Sequence, residues 1–314
     1  LGDSGLKVSE VSLGGWLTQG RTLSDDQTTN LVRRAFDKGV ICFDTADIYN
    51  KGEAELSLGI AIEGMRRQDL VIATKCFWPM TENPNDRGLS RKHVMESVHG
   101  SLKRMKIDYI DLYQCHRHDP ETPMHELVRT MDDLVRQGKI LYWGVSEWPA
   151  EEIEKAVAMA KELNCVAPIS NQPNYSLLVR RIEDDVLPTS KKLGMGQIVF
   201  SPLAQGVLTG KYKPGQQPEQ GSRAADPKSN TFMQDKMSDE ILARVEKLSA
   251  FAAELGVTTG QLALVWCLRD PGIDSVIVGA TKESQLDENI AASGLNFSAD
   301  VWERCEKIVD GAGD

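Results

Sequence analysis

Hydrophobic residues come in short runs set between longer amphipathic stretches, and the alternation persists from one end of the chain to the other. Apolar runs fall at 8–13, 40–43, 70–74, 109–115, 140–145, 168–172, 197–201 and 275–278. Several are rich in β-branched residues, the pattern of strands buried on both faces. Between them, at 24–37, 53–65, 90–105, 123–136, 149–162, 179–192 and 239–255, apolar positions recur at helical spacing, and 259–268 and 281–291 read as further helices. Ser24-Asp25-Asp26-Gln27 has the form of a capping box, and Ser90 precedes another amphipathic run. Gly39, Gly138 and Gly194 follow helical stretches at the position where a left-handed residue ends a helix.

Eight strands alternating with helices predict an α/β fold, a (β/α)8 TIM barrel in a single domain over residues 1–314. Its strands must be parallel, because each is followed by a crossover helix. The alternative is a doubly wound open sheet. Its dinucleotide-binding form needs a G-x-G-x-x-G turn, which the chain lacks, and Gly14-Gly15-Trp16 does not replace it. The one long irregular stretch, 212–237, suggests a lid-like loop covering about 204–237.

Composition narrows the function. With 36 Lys and Arg against 46 Asp and Glu, the formal charge of −10 argues against broad binding to nucleic acid or acidic membranes. It leaves room for a small anionic ligand in a local basic pocket. No run approaches the ~20 apolar residues of a membrane span, so no membrane insertion is expected. Residues 1–10 lack the apolar core of a signal peptide. Six cysteines (42, 76, 115, 165, 267 and 305) are scattered without a C-x-x-C pair. A reducing, cytoplasmic setting is the expectation.

Polar residues close the strands: Asp44, Lys75, His116, Ser146, Gln172 and Ser201 end strands two to seven. In a (β/α)8 barrel these ends converge on the face where active sites are built. Tyr49, five residues past Asp44, can fold back into the same pocket. A tyrosine has an ordinary pKa of ~10, and a nearby ammonium lowers it by favouring phenolate. Lys75 can play that part if Asp44 keeps it charged, while His116 positions a carbonyl oxygen or relays a proton. The set suits carbonyl reduction, and since no side chain delivers hydride, that chemistry requires a nicotinamide cofactor.

Other readings of these residues stand beside this one. Asp44 also suits a helix N-cap, and Lys75 a rim salt bridge or a Schiff-base lysine. His116-Arg117-His118 holds a potential metal-binding pair, but His93, His99 and His125 lie on predicted helices, so no metal is expected. Trp16, Trp78 and Trp148 each follow a strand and read either as rim packing or as an apolar wall for the substrate, whereas Trp143, Trp266 and Trp302 read as core. Arg223 is either a solvated loop charge or a cofactor ligand.

The chain resembles the aldo-keto reductases in Phe43-Asp44-Thr45-Ala46-Asp47-Ile48-Tyr49, Thr74-Lys75, residues 111–116, Gly144-Val145-Ser146, Ser170-Asn171-Gln172, Phe200-Ser201-Pro202-Leu203, residues 206–212 and 278–289. Within that family Asp119-Pro120-Glu121-Thr122-Pro123 and Gly210-Lys211-Tyr212 resemble the branch of voltage-gated potassium channel β-subunits and their microbial relatives. The resemblance implies an NADP(H)-dependent enzyme acting on a small carbonyl substrate, with Asp44, Tyr49, Lys75 and His116 catalytic and Tyr49 the proton donor. It further implies a cofactor site of Gly15, Trp16, Ser146, Gln172, Phe200, Ser201, Pro202, Leu203, Lys211, Arg223, Gly279, Thr281, Lys282, Gln285, Glu288 and Asn289. In that set Ser146 and Gln172 meet the carboxamide, Phe200 stacks on the nicotinamide ring, and Ser201, Leu203, Lys211 and Arg223 hold the pyrophosphate. Thr281, Gln285, Glu288 and Asn289 line the adenosine end, with Lys282 at the 2′-phosphate on charge grounds. Relatives range from monomers to larger assemblies, which is compatible with a homo-oligomer. The chain departs from the family pattern at Glu147-Trp148, where Asn commonly follows the strand-five serine. It also carries His116 where animal channel subunits have Asn, pointing to an enzyme rather than a cofactor-sensing regulatory subunit.

Overall fold

The computed structural model describes residues 1–227, 229–230 and 232–311. Eight parallel strands close a barrel in chain order among these residues, each paired with its sequence neighbours and the first with the last. They are β1 (Val11–Gly14), β2 (Cys42–Asp44), β3 (Val71–Cys76), β4 (Ile110–Cys115), β5 (Ile140–Ser146), β6 (Ser170–Gln172), β7 (Gly196–Phe200) and β8 (Ile273–Val278). The order bears out the (β/α)8 expectation and excludes the open sheet. Strand residues are almost all buried because the inner face meets barrel-filling side chains and the outer face meets helices. Ala73, Leu112, Ile198 and Ile277 pack together inside the barrel with Leu1.

The helices are α1 (Asp25–Asp37), α2 (Glu53–Ala61), α3 (Arg91–Met105), α4 (Met124–Arg136), α5 (Ala150–Glu162), α6 (Val186–Lys192), α7 (Asp239–Glu254), α8 (Thr259–Leu268), α9 (Glu283–Ile290) and α10 (Ala299–Asp310). At the start of α1, Ser24 Oγ accepts from the Gln27 amide (3.2 Å), and Gln27 Oε1 accepts from the Ser24 amide (3.0 Å), the predicted capping box. Gly39 closes that helix with φ +93°.

Two differences from the sequence pattern have physical causes. The helix expected over 179–192 begins only at Val186. Pro188 lacks an N–H and its ring would strike the carbonyl four residues upstream, so it fits only the first turn. The preceding residues are drawn into a polar cluster instead, with Tyr175 Oη donating to Glu183 (2.6 Å) and Arg269 pairing with Glu183 at 3.2 Å. The second difference is α10, which the sequence pattern did not separate from loop; its Cys305 and Val309 are buried one turn apart in the cluster that also contains Val245 of α7. Among the described residues no single helix is long and apolar enough to cross a membrane.

Candidate active site

Asp44 is the last residue of β2, Lys75 lies near the end of β3, and His116 follows β4, so the three side chains emerge on one barrel mouth. The loop that carries Tyr49 is tied down by backbone bonds from Thr45 N to Ala73 O (2.9 Å) and from Asp47 N to Lys75 O (3.2 Å). Just past Tyr49 the chain turns through left-handed Asn50 and Lys51, φ 49° and 53°, then Gly52 at φ +93°. Non-glycine residues adopt this region at some cost, and such strain gathers where a side chain has to be aimed.

Lys75 is fully buried. Its Nζ donates to Asp44 Oδ1 (2.6 Å), to the Thr45 carbonyl (2.8 Å) and toward Tyr49 Oη (3.4 Å), so each of the three ammonium hydrogens has an acceptor. Burial pulls the Lys75 pKa down, but the Asp44 carboxylate and the Tyr49 oxygen outweigh it, and the net shift is upward. A Schiff-base role needs a neutral amine and is not supported by this arrangement. Tyr49 corrects the sequence-based expectation. Burial raises its pKa by more than Lys75 lowers it, so the phenol holds its proton more firmly than a free tyrosine. His116 lies edge-on to Tyr49 with ring centroids 5.7 Å apart. Burial, then the Lys75 and Arg117 charges, push its pKa well down and keep the imidazole neutral.

The remaining oxygen of Asp44 is held from the far side of the barrel. Gln172 Nε2 donates to Asp44 Oδ2 at 2.9 Å, and Gln114 Nε2 reaches it at 3.4 Å. Ser146 Oγ donates to the Gln172 carbonyl (2.8 Å), which fixes the end of β6. Gln114 is not among the residues expected at the site from the sequence. Its signal was the strand period, since residue 114 shares the inward face with residue 116. Arg117, which no local sequence pattern distinguishes, stands over Trp78, its guanidinium 5.6 Å from the ring centroid.

Other expected site residues lie at or around the same mouth. Gly15 follows β1, and its amide donates to the Asp44 carbonyl (2.9 Å). Phe200 is half-buried at the end of β7, and Ser201, next in the chain, is left-handed at φ 56°. Pro202 is buried, Leu203 half-buried and Lys211 exposed. Gly279, Thr281, Lys282, Gln285 and Glu288 form an exposed row from the end of β8 along α9, with Asn289 buried beneath. Three of these already have partners: Gln285 Oε1 accepts from the Thr281 amide (3.0 Å), and Glu288 Oε1 accepts from Thr258 Oγ1 (2.8 Å). From the loop after β7, Phe232 and Arg223 reach the turn that follows β1, with the Phe232 ring 5.6 Å and the Arg223 guanidinium 4.9 Å from the Trp16 ring.

The tryptophans divide. Trp78 is 38% exposed, with its ring 6.4 Å from His116. Trp148 is only 2% exposed and lies behind His118, so its placement is that of rim packing and not of the substrate wall expected for it. Glu147, at the position of the family departure, is left-handed at φ 57°. It accepts from the Asn174 amide (2.6 Å) and pairs with Arg181. His118 sits 3.3 Å from Glu152, and among the described residues no group of three or more His, Cys, Asp or Glu is placed to hold a metal ion.

A sequence model of the aldo/keto reductase family matches residues 10–310, spanning the barrel and every catalytic candidate. The chain belongs to that family. It is 44% identical over 314 residues to a probable voltage-gated potassium channel subunit beta of Oryza sativa subsp. japonica, covering 98% of this chain and 95% of the relative. It is 45% identical to a protein of the same description from Arabidopsis thaliana, covering 93% and 89%. The branch read from the sequence motifs is therefore the one these relatives occupy.

A nicotinamide dinucleotide fits what this aldo/keto reductase presents. Among the described residues, the Nη2 atom of Arg223 is buried beside Trp16 with no hydrogen-bond partner, and Ser222 Oγ beside it in the chain is likewise unpartnered. Burial pulls the Arg223 pKa down to about 10, and among the described residues no carboxylate pairs with it. A desolvated cation of this kind is stabilised by an anionic group such as a pyrophosphate.

Proposed function

We propose that the protein is an NADPH-dependent oxidoreductase that reduces small aldehydes or ketones to alcohols. The observation that carries this reading is Lys75 Nζ standing between Asp44 Oδ1 at 2.6 Å and Tyr49 Oη at 3.4 Å. Tyr49 keeps its proton until a carbonyl oxygen beside it gains charge, then gives that proton up. The phenolate left behind faces a full ammonium in a buried site, where the attraction is much stronger than in water. Asp44 holds Lys75 charged throughout. Neutral His116 has one N–H to donate, which suits it to orient the carbonyl oxygen.

When bound, the nicotinamide supplies the hydride. Phe200 offers an aromatic face for the ring. Both amide hydrogens of Gln172 are directed within the protein, to Asp44 (2.9 Å) and to Gln114 Oε1 (3.4 Å). Its carbonyl oxygen is thus the atom suited to meet a carboxamide N–H, with Ser146 holding the strand end in place. Ser201, Leu203, Lys211 and Arg223 would hold the phosphates, with Gly15, Trp16 and Pro202 as walls. Gly279, Thr281, Gln285, Glu288 and Asn289 would line the adenosine end, with Lys282 at the 2′-phosphate. The loop over 204–237 acts as a lid through its contacts with Trp16.

The test is NADPH oxidation with 4-nitrobenzaldehyde, comparing wild type with Tyr49→Phe. Loss of 10²-fold or more in turnover with near-normal NADPH binding is expected; undiminished turnover would sink the mechanism. The relatives' descriptions favour a second reading, a cofactor-sensing regulatory subunit with slow turnover. Tight NADPH binding with negligible oxidation by the wild type would favour it instead.

A further inference from the structure

We propose that Arg117 and Trp78 form an anion-recognition subsite beside the catalytic groups, and that the preferred substrates are carbonyl compounds carrying a carboxylate. This deepens the reductase reading and rests on it for the identity of the reacting group.

The site is built from contiguous contacts. His116 packs edge-on to Tyr49 on one side and to Trp78 on the other, at ring-centroid separations of 5.7 and 6.4 Å. The Arg117 guanidinium lies over Trp78, 5.6 Å from its centroid, and Nη1 donates to the His116 carbonyl at 2.5 Å. Stacking and that hydrogen bond hold a planar cation at the edge of the catalytic cluster. The unused edge of the guanidinium is free to meet a carboxylate side-on, through two parallel N–H bonds. Arg117 is half-buried, enough to strengthen such a pair while leaving a path to solvent.

The charges around it leave Arg117 uncompensated. Among the described residues it pairs with no carboxylate. Glu147, whose field it feels, has both oxygens engaged, one by the Asn174 amide and the other by Arg181. Arg181 itself repels Arg117, and Tyr49 is the other group whose field reaches it. In a chain of net charge −10, this half-buried arginine has no carboxylate partner among the described residues, and its packing on Trp78 and its bond to the His116 carbonyl leave its charge unpaired. A substrate carboxylate completes it. Trp78, 38% exposed, provides the apolar wall between carbonyl and carboxylate.

The experiment compares kcat/KM for 4-carboxybenzaldehyde with that for 4-nitrobenzaldehyde, in wild type, Arg117→Met and Arg117→Lys. The wild type should favour the carboxylate, and the ratio should fall about tenfold to a hundredfold in Arg117→Met. Arg117→Lys should keep a larger share of the preference. A ratio that moves less than about threefold in Arg117→Met overturns the proposal, because an arginine acting only on Tyr49 would change both substrates alike. Quenching of tryptophan fluorescence by 4-(hydroxymethyl)benzoate, measured with NADP+ present, gives a readout independent of turnover. Its affinity should drop at least tenfold in Arg117→Met, and equal affinity in the two proteins counts against the subsite. If no aldehyde is reduced but this binding depends on Arg117, the subsite stands and the reductase reading falls.

Discussion

Gln172 donates from β6 to the Asp44 carboxylate at 2.9 Å, on the oxygen that Lys75 does not use. The link spans the barrel and joins the residue expected at the nicotinamide carboxamide to the one that keeps Lys75 charged. With Gln114 also reaching that oxygen at 3.4 Å, the carboxylate is satisfied on both sides by groups from three other strands. A buried polar network is stabilising only when its members are satisfied, and removing one leaves a desolvated charge behind.

Gln172→Glu places a second carboxylate against Asp44 where an amide donor stood. The two cannot both ionise cheaply at that separation, so one of them must take up a proton. Stability should fall relative to wild type, and fall further at pH 8 than at pH 5.5. Urea unfolding at the two pH values, with Gln172→Leu as the uncharged comparison, measures this; an identical deficit at both would refute it.

The Asp44–Lys75 pair offers a sharper case. Lys75→Met alone leaves a buried carboxylate without its cation, and Asp44→Asn alone leaves a buried ammonium with weaker partners. Each should cost about 3–5 kcal/mol. The double variant should be less destabilised than the sum of the two, because no buried charge is left alone. A double-mutant cycle in denaturant decides, and strict additivity would show that the pair is not the unit described here.

Much of this was legible in the sequence because barrel architecture ties strand ends to one face. Once 42–44, 71–76 and 110–115 are read as strands, Asp44, Lys75 and His116 must converge whatever the intervening helices do. What was not legible depends on contacts between distant segments. The balance that raises the Tyr49 pKa is set by how deeply the site is buried, which no local pattern encodes. Trp148 follows β5 as Trp78 follows β3, yet one is buried behind His118 and the other is open; only packing separates them. Helix α10 has just two buried residues in twelve, Cys305 and Val309, too thin a stripe to stand out from loop.

Lys282 tests the cofactor assignment without touching the catalytic groups. It lies exposed at the N-cap of α9, where its charge and the helix N-terminus together favour a phosphate. Lys282→Ala should weaken NADPH binding about tenfold and leave NADH binding nearly as it was. Dissociation constants from fluorescence titration check this. An equal loss for both cofactors would place Lys282 elsewhere than at the 2′-phosphate.

Asp47 links the active-site loop to pH. Asp47 is 1% exposed, its carboxyl accepts a 2.7 Å hydrogen bond from Ser97 Oγ, and its other oxygen is buried without a side-chain bond among the described residues. Burial raises its pKa to about 7, against the lowering effects of the Ser97 bond, the Ile48 amide and Arg104. The folded protein therefore binds this proton more tightly than the unfolded chain, whose aspartate titrates at ~3.9. The stability contribution is whole below about pH 4. It is lost as pH climbs to about 7, the value at which the buried carboxyl ionises. Asp47→Asn removes the ionisation while keeping an oxygen for Ser97. The variant should gain on wild type by about 2–4 kcal/mol above pH 7, and this advantage should vanish near pH 4. Denaturant unfolding of both proteins from pH 4 to 8 reads the difference directly, and a gap independent of pH would mean that Asp47 is already ionised and compensated within the fold.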